Sequence, residues 1–435
     1  MSKLIKQLTI GICKGSEQLI ADAKSRGVYT IVAGPELEGR TAESLGADEY
    51  WNMDTSDIDA LEQRCREENI DAIINGISTY NISVCIELAK RLGLPCYATK
   101  EGWHYTIDKY AFKKLCREVG VPVAKDYFVS NPPKEEELDQ ISFPVVVKAV
   151  DLSANRGMSY CNSRSEIAPA CDYARSLSAS DQVVIEKKLT GTEYASHYAI
   201  ADGKASLTDF CCMLSQPGYP GNCYSVTTTE TDFMDVYLEE VHPRIQIFLS
   251  AAGIKEGVCW FEMMSDTDNH LYVLEMGYRM SGDLFSIPIK YVNGFDEYKW
   301  LNDISLGIKH KISDLPRDIR KLPEKVGTSY IIWSNDKSGT ISHIDGLDEV
   351  KKIKGVQIDN ILRVGSHFNA YQYLVVILIE SNNCEEMIET IRRINEMVRI
   401  EDEEGDNICI YYDDFATLRR MNSIGRNNDK PILSY

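Results

Sequence analysis

Hydrophobic positions over the first hundred residues come in short blocks whose spacing switches between strand-like and helix-like. Leu8 to Cys13 reads as a strand, Glu17 to Arg26 as a helix closed by Gly27, and Val28 to Ala33 as a strand ending in Gly34-Pro35. Asp57 to Glu68 is helical, Asp71 to Asn75 is a strand, and Ile82 to Leu92 is a helix stopped by Gly93. Such alternation in short steps predicts a parallel sheet covered on both faces. The first turn, Gly11-Ile-Cys-Lys-Gly15-Ser16, lacks the Gly-x-Gly-x-x-Gly fingerprint, so the pattern alone argues for no dinucleotide.

Farther on, a basic helix from Asp108 to Glu118 ends in Gly120-Val-Pro122, and Asn131-Pro-Pro133 with Glu135-Glu-Glu137 marks a boundary or an exposed loop. Strands are expected at Phe143 to Val150 and Gln182 to Glu186, with a helix over Ile167 to Leu177 between them. Asp235 to Ala252 reads as one long helix, and strands Gly257 to Met264 and His270 to Met276 flank an Asp266-Thr-Asp-Asn269 turn. From Val326 the pattern changes to short strands with one helix, Cys384 to Val398, as suits a small terminal subdomain. A chain of 435 residues, at roughly 150 per domain, has length for about three units.

Composition narrows the function. Hydrophobic residues make up 44% and charged residues 26%, values of a folded globular protein. Acidic residues number 66 against 47 basic, a formal charge of −19 that repels phosphate backbones and anionic lipid. Nucleic-acid and membrane-surface binding are thus excluded as the overall function, while small anions stay open to a local positive pocket. The thirteen cysteines form no Cys-x-x-Cys pair and read as reduced core thiols. No apolar h-region follows Met1-Ser2-Lys3, and Leu374 to Ile379 is too short to span a bilayer, so the expected location is cytoplasmic.

The chemistry concentrates between residues 109 and 279. Lys148 sits inside the apolar run Pro144-Val-Val-Val-Lys148-Ala-Val, where an ammonium needs either an anion or an exposed strand edge. The small polar loop Asp151-Leu-Ser-Ala-Asn-Arg156-Gly157 follows, and its backbone N–H groups suit phosphates. Glu262 and Glu275 are acids in apolar strand sequence on either side of a short turn. A hairpin brings them onto neighbouring strands, either as two solvent-facing acids or as a pair holding a hard cation such as Mg²⁺ or Mn²⁺. Arg279, just past them, is either a surface residue or a group that steadies an oxyanion. The histidines show no metal-ligand spacing, the acidic run Glu401 to Glu404 reads as a solvated loop, and the loop Gln216 to Tyr224 is either a connector or a border of the acceptor site.

In this order the motifs resemble the ATP-grasp superfamily of carboxylate–amine ligases: Asp108-Lys109-Tyr-Ala-Phe-Lys113, Pro144-Val-Val-Val-Lys148, Val184-Ile-Glu186-Lys-Lys-Leu189-Thr-Gly-Thr-Glu193, Phe261-Glu262 and Leu274-Glu275-Met-Gly-Tyr-Arg279. The resemblance implies an α/β fold: a Rossmann-like parallel-sheet domain over 1–105, a two-lobed ATP-grasp domain over 106–325 with its lid lobe at about 126–190, and a C-terminal subdomain over 326–435. It further implies that Lys109 and Lys148 contact ATP phosphates, that Glu186 accepts from the adenine amino group, and that the backbone of Lys187 and Leu189 completes the edge contacts; Arg156 either adds a phosphate contact or points to solvent. Glu193 would hold the ribose, Glu262 and Glu275 the Mg²⁺, and Arg279 the acyl-phosphate oxygens. Two departures stand out: Gly277 replaces an asparagine the family usually has as a further metal ligand, and the phosphate loop is poor in glycine.

The resemblance points to an ATP- and Mg²⁺-dependent ligase joining a carboxylate to an amine through an acyl phosphate. The pattern after Arg279, Ser281-Gly-Asp283 and Gly294-Phe-Asp296, is most similar to L-amino-acid (dipeptide) ligases and carbamoyl-phosphate-synthase-like relatives. Alternatives are a purine-pathway carboxylase or phosphoribosylglycinamide-type ligase, and, in another class, a non-catalytic ATP-binding regulator. The partners expected are small-molecule carboxylate and amine substrates, with a homodimer left open because dimers are common in that family.

Overall fold

Strands β1 (Lys6–Ile10), β2 (Tyr29–Ala33), β3 (Glu49–Trp51) and β4 (Ala72–Asn75) form a parallel sheet in the order β3-β2-β1-β4. Apolar residues alternate across it, so Leu8, Ile10, Ile31 and Ile73 pack into one cluster while Val32 joins Ile12, Ile20 and Leu45 in another. The structure is a computed structural model that describes residues 3–36, 41–127, 129–150, 157–178, 182–219, 223–228, 233–316, 325–359 and 362–423. The helices Ile58–Glu68 and Thr79–Leu92 stop at Asn69 and Gly93, both left-handed, the second at the glycine the sequence predicts.

A second sheet is antiparallel: β5 (Asp126–Tyr127), β6 (Val145–Ala149), β7 (Ser159–Cys161) and β8 (Val183–Lys187), in the order β5-β8-β6-β7. Its apolar face, with Val145, Val147 and Ile185, packs on Ile167 and Cys171 of the helix Ile167–Leu177 and forms its own core. The other face carries Lys148. Alternation along β6 therefore sends Val145 and Val147 inward and Val146 and Lys148 to the half-buried opposite face.

The largest sheet begins with β9 (Glu193–Ala201), β10 (Lys204–Leu214), β11 (Ser225–Thr228), β12 (Gly257–Ser265) and β13 (Leu271–Gly277). The C-terminal region adds β14 (Val326–Ser334), β15 (Gly339–Asp345), β16 (Val356–Asp359), β17 (His367–Phe368), β18 (Tyr373–Ser381), β19 (Arg399–Asp402) and β20 (Cys409–Ile410). The order β13-β12-β9-β10-β11-β14-β18-β16, with β20 beside β14, carries one sheet across residue 325. β15, β17 and β19 form a small sheet apart. Buried hydrogen bonds tie the first sheet to the rest: Gln7 Nε2 donates to Asn302 Oδ1 at 3.0 Å and to Ser305 Oγ at 2.7 Å.

Three local expectations change. The hairpin of β9 and β10 and the short β3 were not among the predicted strands. The single helix expected over Asp235 to Ala252 is instead a short helical turn, a π turn over Tyr237–Val241, and a helix over His242–Ala251. Pro243 sits in the first turn of that last helix. A proline there supplies no N–H to the preceding turn and crowds its carbonyl, so the ladder widens rather than running straight through.

Candidate active site

Two groups of charged side chains are joined by the helix Lys109–Val119, which gives Lys109 to one and Lys113 to the other, and they are built differently. The first is carried by the hairpin β12–β13, whose register sets Glu262 directly opposite Glu275. On the neighbouring β9, Ala195 lies opposite Glu262 and Glu193 opposite Met264, so the period of two puts Glu193 on the same face. Asp283, from the loop after β13, completes the set. Burial pushes the Glu262 carboxyl well above the usual carboxylate range; the charges of Glu275, Glu193 and Asp283 push the same way, and Arg279 opposes them. Glu193 is raised by burial and by Glu275, and Asp283 by burial. Lys109, at the start of the helix Lys109–Val119, brings Nζ to 3.6 Å from Glu275 Oε2.

Four crowded carboxylates, with Lys109, Arg279 and, at Asp283, Lys14 as the cations near them among the described residues, form a set of hard oxygen donors that repel one another. Those donors fit a divalent ion of the Mg²⁺ or Mn²⁺ type, which binds carboxylate oxygen.

The second group is closed on itself. Glu186, 4% exposed at the end of β8, forms ion pairs with Lys113, whose Nζ is 2.6 Å from Oε1, and with Lys148, whose Nζ is 3.0 Å from Oε2. Lys113 also donates to Asp126 Oδ1 at 2.9 Å, and Arg117 pairs with the other oxygen of Asp126. The strand register explains the assembly: Asp126 on β5 is opposite Glu186 on β8, which is opposite Val146 on β6, next but one to Lys148. Lys113 comes from the helix Lys109–Val119 and is one turn beyond Lys109. Burial pulls its ammonium down to about 8, the Glu186 carboxylate opposing that drop. Glu186 is held below the ordinary carboxylate range by Lys148 and Lys113, against its own burial.

The sequence-predicted residues thus fall into two sets, Lys109, Glu193, Glu262, Glu275 and Arg279 in one, Lys148 and Glu186 in the other. Arg279 lies over the Trp260 ring, its guanidinium 5.2 Å from the ring centre, and donates from Nη1 to Met280 O at 2.8 Å. Lys187 turns away: its Nζ donates to Phe143 O at 2.9 Å, and its backbone N–H is taken by Lys125 O at 2.8 Å. Leu189 follows β8 half-buried, and Arg156 lies outside the described residues. Sequence reasoning assigned no role to Lys113, Asp126 or Asp283. The spacing of four between Lys109 and Lys113 was the available signal for the first; the others depend on register and loop path. Of the loop Gln216 to Tyr224, Gln216 is anchored to Asp413, its Nε2 donating at 2.7 Å.

A family model described as phosphoribosylglycinamide synthetase, ATP-grasp (A) domain, matches residues 107–212, the stretch that holds Lys109, Lys113, Lys148, Glu186 and Glu193. The crystal structure of L-amino acid ligase from Bacillus licheniformis is similar over 92% of this chain and 100% of that one, with a TM-score of 0.76 and 20% identity. The chain carries the ATP-grasp fold. A second ATP-grasp neighbour is the biotin carboxylase domain of 2-oxoglutarate carboxylase from Hydrogenobacter thermophilus, solved with MgADP, ADP and bicarbonate. It covers 92% of this chain and 91% of that one at TM-score 0.73 and 15% identity. Among curated proteins, the arginine-specific large chain of mitochondrial carbamoyl phosphate synthase from Neurospora crassa is 26% identical over 208 residues, 46% of this chain but only 17% of that protein. The acid hairpin lies beyond the family-matched stretch, so its link to the ATP-grasp fold comes through the whole-chain likeness. Among the described residues no helix is long and apolar enough to cross a membrane.

Proposed function

We propose that the protein is an ATP- and Mg²⁺-dependent ligase that joins a carboxylate to an amine through an acyl phosphate. The observation that carries this reading is the direct cross-strand pairing of Glu262 and Glu275 on one face with Glu193. Bound there, Mg²⁺ or Mn²⁺ would neutralise phosphate charge and align the terminal phosphoryl group. Glu262 and Glu275 would hold the ion, Glu193 the ribose, and Lys109 and Lys148 the phosphates. Lys148 would exchange part of its pairing with Glu186 for phosphate, freeing Glu186 to accept from the adenine amino group beside the backbone of Lys187 and Leu189. A substrate carboxylate attacks the terminal phosphorus, ADP leaves, and Arg279 steadies the acyl-phosphate oxygens until an amine displaces phosphate. These steps need no protein nucleophile, only alignment and charge neutralisation.

One of the neighbours similar over nearly the whole chain is an L-amino acid ligase, which supports an amino acid as one substrate. A purine-pathway ligase is the second reading, favoured by the phosphoribosylglycinamide synthetase model over 107–212. The test is ADP release from ATP and Mg²⁺ with a pool of amino acids. Release only when a carboxylate is supplied is the expected result. Release that needs a phosphoribosylamine or aminoimidazole ribotide would move the assignment to the second reading, and nucleotide binding without turnover would leave a regulator. The thirteen cysteines are all free thiols, which supports a reducing, cytoplasmic setting. A homodimer is carried over from the carboxylase domain, whose structure is described as a dimer.

A further inference from the structure

Trp260 is the residue of this cleft to which the ligase reading gives no task. It lies two positions before Glu262 on β12 and directly opposite Gly277 on β13, so its side chain stands on the carboxylate face. It is 7% exposed. The indole lies across Gly277: a Cβ at 277 would come within 2.3 Å of Cε2 and Cζ2 and 2.6 Å of Nε1. The ring and any side chain at 277 therefore exclude each other, and the missing asparagine has a steric cause. Arg279 lies over the ring, its guanidinium 5.2 Å from the ring centre.

The ring brings a polar group of the opposite kind. An asparagine at 277 would offer a carbonyl oxygen, an acceptor, whereas an indole N–H can only donate. Among the described residues Trp260 Nε1 is buried with nothing to donate to, and so is Arg279 Nε. A buried donor left unmade is costly, and no described residue supplies its partner. Cations cannot be that partner. A donor without charge also has an advantage beside an ion site: it binds an anionic oxygen without repelling the metal that the glutamates hold.

We infer that Trp260 Nε1–H, with Arg279 stacked on its ring, is a binding donor for an oxyanion in the cleft, either the carboxylate of the substrate or the phosphate released from it. This rests on the ligase reading and adds one ligand contact to it. At this position the chain has exchanged a metal ligand for an anion donor.

The test uses the full chain with ¹⁵N-labelled tryptophan, which gives five indole N–H resonances. Trp260 is assigned from W260F, or by elimination from Phe replacements of the other four if W260F does not fold. Binding of MgADP is first measured by calorimetry, and inorganic phosphate and acetate are then titrated separately at saturating MgADP. The expected result is a saturable downfield movement of the Trp260 resonance with phosphate or with acetate, which identifies the source. W260F should bind that anion about tenfold more weakly, the effect of one lost hydrogen bond to a charged group. G277A, whose methyl must displace the indole, should weaken it as well. An anion that binds while the Trp260 resonance stays still, an unchanged affinity in W260F, or no binding of either anion would overturn the inference. Failure to bind MgADP counts against the ligase reading; the two anions are then titrated into the protein alone, where an unmoved Trp260 resonance overturns the donor assignment separately.

Discussion

The two charged groups of the cleft contain similar side chains and solve opposite problems. Around Glu186 every carboxylate oxygen has a lysine or arginine within reach, and the group is complete without any ligand. Around Glu262 the carboxylates face one another, and burial with mutual repulsion raises the Glu262 and Glu193 carboxyls above the usual range. The first arrangement holds the antiparallel lobe to the helix Lys109–Val119. The second stores an electrostatic cost that only a bound cation or protons can remove. A buried like-charge cluster next to a self-neutralised one is thus the clearer pointer to a ligand, because structure alone gives no reason to keep it.

Breaking the self-neutralised group should have the largest effect. Lys113→Met removes the buried ammonium between Asp126 and Glu186 and leaves two carboxylates short of a partner, so a loss of about 3–5 kcal/mol is expected, read as a lower urea midpoint. If stability stays within ~1 kcal/mol, the group is not the clamp described. Glu275→Ala should act the other way. Turnover should fall by about 10²–10³ or more, as for removal of one major electrostatic partner, while the metal-free protein melts at the same or a higher temperature because a repulsion is gone. Retained ADP release in that variant would show that the metal lies on other acids.

How much of this was readable beforehand differs between the two groups. The turn Asp266 to Asn269 between two apolar segments made the Glu262–Glu275 hairpin legible, since a short antiparallel connection fixes register locally. The Glu186 group depends on pairing β5 with β8 and β8 with β6, whose partners are tens of residues apart, so no local signal announced Asp126, and the spacing of four from Lys109 was the one local sign of Lys113. The hairpin β9–β10 escaped for another reason. Both its faces are buried, which erases the alternation that reveals half-buried strands. A turn signal was nevertheless present: Asp202-Gly203, with φ 49° and 73°, is an Asp-Gly hairpin turn. Gly277 read in isolation looked like a lost metal ligand; only the register with Trp260 shows what fills its place.

Acidity near the cleft gives a third, smaller contrast. Burial raises Asp209 to about 8, with Glu297 adding to it, and raises Glu297 to about 7. Both carboxyls titrate near 4 in the unfolded chain, so between about pH 4 and 8 the folded state holds protons that the unfolded state has released. Their contribution is therefore fully present below about pH 4 and lost as pH rises through 7 to 8, at no more than about 1.4 kcal/mol per pH unit for each group. Metal-free protein should melt at a lower temperature at pH 8.5 than at pH 6, and Asp209→Asn should flatten that slope. A melting temperature that rises over this interval would show that these acids are already ionised and paired at pH 6.

The smallest expected effect tests whether the closed group is more than its buried members. Arg117 reaches Asp126 from a side chain that is 41% exposed, whereas Lys113 reaches it from one that is 2% exposed. Water screens the first pair and not the second, so Arg117→Ala should cost only about 0–1 kcal/mol. Coupling is the sharper readout. With Lys113 present, Asp126 keeps a neutralising partner after Arg117 is removed; with Lys113→Met in place, Arg117 is the last cation on that carboxylate. Losing Arg117 should therefore cost more in the Lys113→Met background than in the parent chain, and the double-mutant cycle should show a positive interaction of about 0.5–3 kcal/mol. Simple additivity would mean that Asp126 is hydrated well enough to need neither cation, and the contrast between a closed cluster and an open one would then reduce to Lys113, Lys148 and Glu186 alone.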